Sequence, residues 1–206
     1  FETMAVARAA DPNSNRIWRK YRWGKAIEVF MLDSRGERRP STRNTTHAEY
    51  LSPAQLAWLK EGLLTSNAAF KIIGNSVPIA NFPAVFDTLA NDRWEGYASQ
   101  RNDLLDFITS NAIPGVVFLS GDFHVAAVVK LERSGPRSRY LEILAGPGGN
   151  LGNPAVITLT GSEFELATTT NNVVIFDADA TVTPPTLRFR FVDGNGGVFF
   201  DKTLTP

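Results

Sequence analysis

Three short apolar runs, each ending in a polar turn, mark the first two-thirds of the chain. They occupy residues 27–32 (Ile-Glu-Val-Phe-Met-Leu), 70–73 and 116–119. Runs of four to eight residues bounded by turn residues are typical of β-strands. Since these runs are nearly continuous in apolar character, we expect strands of a sheet that is covered on both faces.

Two helical segments separate these predicted strands. Ser52 suits the N-cap of a helix, Pro53 suits the first helical position, and Gln55 stands where a capping box needs it. The leucines that follow recur at helical spacing and predict a helix that ends near Ser66. A second helix is predicted over about 98–111, where Pro and Gly end the pattern.

After residue 125 the pattern changes to short apolar runs without helices between them. The predicted strands are 125–131, 140–144, 156–159, 173–176, 187–192 and 198–200. The order strand, helix, strand, helix, strand predicts parallel neighbours joined by right-handed crossovers. We therefore expect an α/β (α+β) fold, with helices on both faces of the sheet and a β-rich carboxyl-terminal portion.

Three portions are expected along the 206 residues. They are an irregular basic lead-in over 1–25, a βαβαβ portion with the site motifs over 26–130, and a β-rich tail over 131–206.

Composition excludes several classes of protein. The chain is 43% hydrophobic and has no Cys, which rules out a disordered region, a disulfide scaffold and a cysteine-based zinc site. No run approaches the 18–20 apolar residues of a transmembrane helix. The 21 basic and 21 acidic residues balance, so no net charge indicates a nucleic-acid partner.

The balance hides an asymmetry, because residues 1–50 carry ten basic and six acidic groups. This basic stretch is either a solvated surface or a rim that attracts anions.

Polar residues follow all three predicted parallel strands, at the edge of the sheet where ligands bind in such folds. They are Asp33, Asn75, and the pair Asp122 and His124. Carboxylate and amide oxygens suit Ca²⁺, Mg²⁺ or Mn²⁺, and the imidazole widens the choice to Fe or Zn. We therefore predict a metal site at this edge.

Each candidate also has a simpler interpretation. Asp33 could cap its turn and pair with Arg35, Asn75 could be a turn residue after a glycine, and Asp122 and His124 could be a surface pair. Strand geometry that continued through Asp122 and His124 would point both side chains the same way.

Trp94 and Tyr97 lie in a loop that must cross the same edge. They either fill the core or form a wall for the apolar part of a substrate. A hydrolase that uses Ser120 and His124 is a weaker possibility, because the Gly-x-Ser-x-Gly pattern is missing.

Four motifs in this order resemble the PhoD-like alkaline phosphatase/phosphodiesterase family, which belongs to the calcineurin-like metallophosphoesterases. They are Leu32-Asp33-Ser34-Arg35, the segment 51–59, Trp94-Glu95-Gly96-Tyr97 followed by Arg101, and Leu119-Ser120-Gly121-Asp122-Phe123-His124. The resemblance spans about residues 15–130, and the motifs are specific only as a set.

This resemblance implies a two-metal site that hydrolyses phosphate monoesters or diesters. It places Asp122 and Asn75 on a harder metal ion and His124 on a second ion. Calcium and iron are the implied metals, with magnesium, manganese or zinc as alternatives. Arg35 and Asp33 become candidate catalytic residues, and Trp94 and Tyr97 become candidate substrate-binding residues.

The family's first half carries further metal ligands that have no counterpart in this chain. The chain is therefore expected to be the carboxyl-terminal half of a catalytic domain that needs an amino-terminal half or a second chain. Besides that half, a phosphate-ester substrate is the expected partner. No specific nucleic acid is expected to bind. Family resemblance implies a periplasmic or secreted location. The alternative is a non-catalytic fragment or a partner-binding β-rich module.

Overall fold

The structure is a computed structural model that describes residues 16–86 and 92–206. The described residues form ten strands and two α-helices. In chain order these are β1 (Arg19–Trp23), β2 (Ile27–Met31), α1 (Pro53–Thr65), β3 (Phe70–Gly74), α2 (Ala98–Ser110), β4 (Val116–Ser120), β5 (Ala126–Lys130), β6 (Leu141–Leu144), β7 (Phe164–Thr168), β8 (Asn172–Asp179), β9 (Thr186–Asp193) and β10 (Val198–Leu204).

A seven-stranded sheet organises the fold, in the order β1-β2-β3-β4-β6-β5-β7. Strands β2, β3, β4 and β6 are parallel to their neighbours within this group. Strand β1 is antiparallel to β2, and β5 is antiparallel to both β6 and β7. The parallel arrangement predicted for the first three apolar runs is thus confirmed.

The two faces of this sheet lie in two separate cores. Along β4, Val116 and Phe118 belong to the core that includes both helices, whereas Val117 belongs to the opposite core. This alternation follows from the period of two along a strand. The helices contribute the fully buried residues Leu59, Leu63, Leu104, Leu105 and Ile108.

The predicted mixed α/β fold with a β-rich carboxyl-terminal portion is confirmed, with one correction of detail. Among the described residues, both α-helices pack on the same face of the large sheet. The other face is covered by a three-stranded sheet in the order β10-β9-β8, which buries Leu187, Phe189 and Phe191. Apolar strands are therefore covered on both faces, although by different layers.

Helix α1 begins where the sequence predicts, because the Ser52 hydroxyl accepts a hydrogen bond from the backbone N–H of Gln55. The Gln55 side chain does not complete a capping box. It turns instead toward Asp33 and Glu37, and so connects α1 to the turn after β2. No helix in the described residues is long and apolar enough to cross a membrane.

Of the irregular lead-in expected over 1–25, residues 1–15 lie outside the described part of the chain, and the rest contains strand β1. It pairs antiparallel with β2 after a turn at Gly24, whose φ is +55°. The strand lies at the edge of the sheet and is mostly exposed, and all five of its side chains are charged or aromatic. An edge strand tolerates such residues, so no apolar period revealed it.

The predicted strand over 156–159 is also wrong. These residues lie in and just after a short 3-10 helix, Pro154–Thr158, which begins because the Asn153 side chain accepts from the N–H of Ala155 and Pro154 fits the first position. The strand in this region is β7, which begins later, at Phe164.

Candidate functional site

The carboxyl ends of β2, β3 and β4 lie side by side. The N–H of Leu32 donates to the carbonyl of Gly74 at 2.9 Å, and the N–H of Asn75 donates to the carbonyl of Leu119 at 2.8 Å. These bonds continue the parallel pairing past the strand ends. The turns that carry Asp33, Asn75 and Asp122 are therefore brought to one edge, as the sequence predicts.

Asp33 holds the turn that follows β2. Its Oδ1 accepts from the N–H of Arg35 at 3.2 Å and from the N–H of Gly36 at 2.7 Å, and the residue is only 8% exposed. Gln55 fixes the Asp33 backbone from the other side, accepting from its N–H and donating to its carbonyl. The turn-capping interpretation therefore describes Asp33 in this structure, because its carboxylate holds the backbone of the turn that carries Arg35.

Arg35 bridges two carboxylates. Its Nη1 lies 3.1 Å from Asp92 Oδ2, and its Nη2 lies 3.1 Å from Asp122 Oδ1. The Arg35 side chain is about half exposed. It therefore does not pair with Asp33, and it presents its guanidinium between two acids from distant parts of the chain.

Asp92 is held firmly although it directly follows residues outside the described part of the chain. Arg38 Nη2 lies 2.5 Å from Asp92 Oδ1, and the Tyr50 hydroxyl donates to the Asp92 carbonyl. Burial raises the pKa of Tyr50, so this phenol remains a hydrogen-bond donor across the physiological range. Asp92 was not predicted as a site residue, because its position depends on the path of a long loop.

A cavity of about 370 Å³ opens at this edge. Acidic, basic and aromatic side chains line it: Phe86, Asp92, Arg93, Asp122, Phe123, His124 and Asn153. Phe86 and Phe123 stack with ring centroids 5.1 Å apart. The cavity thus combines a polar side with an aromatic wall, as ligand sites commonly do.

Asp122 and His124 reach this cavity through an unusual backbone. Strand β4 ends at Ser120, and Asp122 and His124 have φ values of +74° and +54°. Strand geometry therefore does not continue through Asp122 and His124. The expectation that a continuing strand would point both side chains the same way does not apply. Left-handed conformations of non-glycine residues are uncommon and costly, and strained backbone of this kind clusters at functional sites. Asn44 and Ala112 also have positive φ values, away from this cavity.

His124 is oriented by the glycine-rich loop 146–153. Its Nδ1 lies 3.1 Å from the carbonyl oxygen of Leu151, and the His124 carbonyl accepts from the N–H of Asn153. A carbonyl oxygen can only accept, so Nδ1 carries the hydrogen and the lone pair of the neutral ring is on Nε2. This is the arrangement that metal-binding histidines commonly show.

The glycine-rich loop is itself held in place. The Asn172 side chain donates to the carbonyls of Gly146 and Thr170, and the Asn172 N–H donates to the Pro147 carbonyl. At Gly152 a Cβ atom would lie 2.2 Å from Thr169 Cβ, so only glycine permits this close packing. The loop therefore supports His124 by packing on β8 and the segment before it.

Asn75 is engaged within its own turn. Its Nδ2 donates to the carbonyl of Val77 at 2.8 Å, and its Oδ1 accepts from the N–H of Ser76 at 3.0 Å. It is not among the residues that line the cavity. In this conformation the turn interpretation describes Asn75.

Trp94 and Tyr97 correct the prediction of a substrate wall. Both are fully buried, and they pack against Tyr50 with ring centroids 4.1 Å and 4.9 Å away. They therefore fill the core beneath the loop. The aromatic wall of the cavity is formed instead by Phe86 and Phe123, which no sequence pattern distinguished from core residues.

The Ser120 hydroxyl is not a nucleophile next to His124. It is buried and donates to Glu142 Oε1 at 2.8 Å. The structure therefore gives no support to the Ser-His alternative.

The predicted ligands Asp122 and His124 are chemically suited to a metal ion, but they are too few to hold one by themselves. Asp122 offers an exposed carboxylate and His124 offers Nε2 on the same cavity. Yet among residues 16–86 and 92–206 no group of three or more His, Cys, Asp or Glu side chains could hold a metal ion. The described part of the chain thus supplies two suitable donors and does not complete a metal site.

Within the described residues 16–50, the basic side chains do not form one rim. Lys20 pairs with Glu28, Arg22 bonds Asn67, and Arg39 pairs with Glu49. Of this stretch, Arg35 and Arg38 contact the acidic residues of the cavity. Most of these charges therefore belong to a solvated surface.

The site thus lies at one edge of a mixed sheet whose parallel strands end in polar turns, and an Asp-x-His turn lines a cavity there. The chain belongs to the PhoD-like phosphatase family, whose model matches residues 1–189.

Two relatives of the chain are longer than the part that it matches. It is 28% identical to alkaline phosphatase D of Bacillus subtilis (strain 168), over 61% of this chain and 24% of that protein. It also superposes on a solved structure of PhoD with a TM-score of 0.75 at 19% identity, over 99% of this chain and 44% of that one. The chain thus spans about a quarter and less than half of these two proteins, respectively.

Proposed function

We propose that this chain forms part of a metal-dependent hydrolase of phosphate monoesters or diesters. Family membership supports the reaction class. The observation that carries the proposal within the structure is the Arg35 guanidinium, which bridges Asp92 and Asp122. Both of these carboxylates line the cavity together with His124. A fixed guanidinium is well suited to bind a phosphate group with two hydrogen bonds.

Arg35 would bind the phosphate. Its guanidinium carries five N–H donors, and the two carboxylates engage one Nη atom each. The remaining donors are available for phosphate oxygens. Asp92 and Asp122 fix the direction of the guanidinium, and Asp33 fixes the turn from which it extends.

Asp122 and Asn75 would contact one metal ion, and His124 would contact a second ion. Calcium and iron are the proposed ions, with magnesium, manganese or zinc as alternatives. A bound divalent ion would neutralise charge on the phosphoryl oxygens and activate water for attack. The Leu151 carbonyl keeps the imidazole in the tautomer that leaves Nε2 free for this role.

Additional protein segments would complete the site. The chain covers only part of its relatives, and its described residues offer too few metal donors. The missing ligands are proposed to come from an amino-terminal half of the same domain, or from a second chain. The proposed location is periplasmic or secreted. The shortage of ligands also favours one rival, a non-catalytic module.

The test uses the natural polypeptide that contains these 206 residues. Its hydrolysis of p-nitrophenyl phosphate and of bis(p-nitrophenyl) phosphate is measured. Activity is measured after chelation and after each of the five metal ions is added back. His124→Ala is compared with His47→Ala, a matched control because His47 is the second histidine and is exposed.

We expect chelation to abolish hydrolysis, and His124→Ala to lower kcat/KM by at least about tenfold. His47→Ala is expected to match the wild type. Hydrolysis that survives both chelation and His124→Ala would contradict the proposal. A wild-type protein that cleaves neither ester with any ion would favour the non-catalytic module.

A further inference from the structure

A buried carboxylate lies beneath the candidate site. Glu142 on β6 is fully buried and accepts three hydrogen bonds. Its Oε1 accepts from the N–H of Ile79 at 3.0 Å and from the Ser120 hydroxyl at 2.8 Å, and its Oε2 accepts from the N–H of Ala80 at 2.7 Å. Burying an acid is costly unless its oxygens are satisfied, so this position has a specific requirement for a multiple acceptor.

The three donors come from two different segments. Ile79 and Ala80 lie in the buried loop that follows Asn75, and Ser120 ends β4 two residues before Asp122. One side chain on β6 therefore joins the turn after β3 to the turn after β4. These are the two turns whose side chains are proposed to bind metal.

Arg101 supports the same loop from helix α2. Its Nε donates to the Ile79 carbonyl at 2.6 Å, and the residue is only 5% exposed. Burial lowers the pKa of Arg101, and the nearby charges of Glu95 and Glu142 oppose that shift. Two side chains thus hold the loop at Ile79. Glu142 accepts from its N–H, and the Arg101 guanidinium donates to its carbonyl.

We infer that Glu142 is a positioning residue that fixes the spacing between the Asn75 and Asp122 turns. The inference rests on the proposed function, because that function gives the spacing its importance. A glutamine of nearly equal shape has a single acceptor oxygen and a donor NH₂ group. It would face the N–H of Ile79 or the N–H of Ala80 with a donor, so at least one segment would lose its attachment.

A purely structural role predicts something different. If Glu142 only stabilises the core, its replacement lowers stability and leaves the two turns in place in the folded protein. If it positions the turns, the folded variant shows displaced turns and impaired catalysis. Glu28 is the matched control, because it is also a buried glutamate, 3% exposed, on a strand of the same sheet. It lies on β2 and pairs with Lys20 on the edge strand β1.

The experiment compares Glu142→Gln and Glu28→Gln in the full polypeptide. Backbone amide chemical shifts report on Asn75, Asp122 and His124, and hydrogen exchange reports on the amides of Ile79 and Ala80. Steady-state kinetics with p-nitrophenyl phosphate separate kcat from KM. Glu142→Asp keeps the charge but shortens the reach by one methylene, and it replaces Glu142→Gln if the latter does not fold.

We expect Glu142→Gln to shift the Asp122 and His124 resonances, to speed exchange at Ala80 or Ile79, and to lower kcat by about tenfold or more with a smaller change in KM. Glu28→Gln should leave all three readouts unchanged. Unchanged shifts at Asn75, Asp122 and His124 in the folded Glu142 variant would overturn the inference. Because the spectra do not depend on activity, they decide it even if the wild type hydrolyses no ester.

Discussion

Arg35 and Asp122 are 87 residues apart in the chain, yet Arg35 Nη2 lies 3.1 Å from Asp122 Oδ1 at the edge of the central sheet. The parallel pairing of β2, β3 and β4 makes this contact possible, because it brings the turns after β2 and β4 to one edge. Asp92 completes the arrangement from the loop before α2. A guanidinium is thereby fixed against two carboxylates that line the cavity together with His124.

Replacing Arg35 tests the role of this guanidinium. Arg35→Ala should lower kcat/KM for p-nitrophenyl phosphate by about 10- to 100-fold, because a donor to the phosphate group is lost. Arg35→Lys should recover only part of this, since a lysine is a point charge that cannot bridge two carboxylates in fixed geometry. Arg188→Ala is the control, because Arg188 on β9 is similarly exposed and pairs with Asp201 on β10. Equal activities for Arg35→Ala and Arg188→Ala would contradict the assignment.

Phe86 and Trp94 should respond in opposite ways. Phe86→Leu removes a ring from the cavity wall, so KM for an aromatic phosphate ester should rise by about threefold to tenfold. Trp94→Leu should lower the free energy of unfolding by about 3 kcal/mol, because Trp94 is fully buried, and should leave KM unchanged. Kinetics and urea denaturation of both variants provide the check. If KM rose in Trp94→Leu but not in Phe86→Leu, Trp94 rather than Phe86 would form the wall of the substrate site.

The start of helix α1 provides a test of local stability. Ser52→Ala removes the acceptor for the Gln55 N–H and a donor to Glu37, so it should cost about 1–2 kcal/mol of unfolding free energy. Ser110→Ala, at the exposed last residue of α2, should be close to neutral. Urea denaturation measures both variants. No difference between them would mean that the cap does not stabilise the fold.

Because Glu142 is buried, we expect the stability of the protein to depend on pH in a specific way. Burial raises the pKa of Glu142 from 4.5 to about 7, against the opposing effect of its hydrogen bonds and of Arg101. The folded state then binds the proton more tightly than the unfolded state between these two values. The contribution of Glu142 to stability is therefore greatest below about pH 4.5 and falls as pH rises through 7.

The measurement is the free energy of unfolding of the wild type minus that of Glu142→Gln, taken at intervals from pH 4.5 to 8. This difference should fall by about 3 kcal/mol across the range. Two curves that stay parallel would show that the pKa of Glu142 is not raised.

Much of this fold could be predicted because its signals are local. Ser52 and Pro53 mark a helix start through backbone chemistry that needs no distant partner. The apolar runs of β2, β3 and β4 identify buried strands, and the helices between them require a parallel arrangement. From that alone, Asp33, Asn75 and Asp122 could be placed at one edge of the sheet.

The rest depends on contacts that the pattern does not encode. The direction of the Asp33 carboxylate is decided by the N–H groups of its own turn, and the burial of Trp94 and Tyr97 is decided by packing on Tyr50. Asp92 reaches the cavity through a loop without periodicity. Strand β1 is charged and exposed, so an apolar period could not reveal it.

The most direct test of a phosphoesterase site at this edge is the rate of p-nitrophenol release by Asp122→Asn. Its control is Asp177→Asn, which removes an exposed carboxylate that also pairs with one arginine, Arg190, on the distant three-stranded sheet. Both variants are assayed in the full polypeptide with the monoester and the diester. Asp122→Asn should be slower by at least about tenfold with whichever ester the wild type cleaves, whereas Asp177→Asn should match the wild type. Equal rates for the two variants would contradict the assignment of the cavity as the catalytic site.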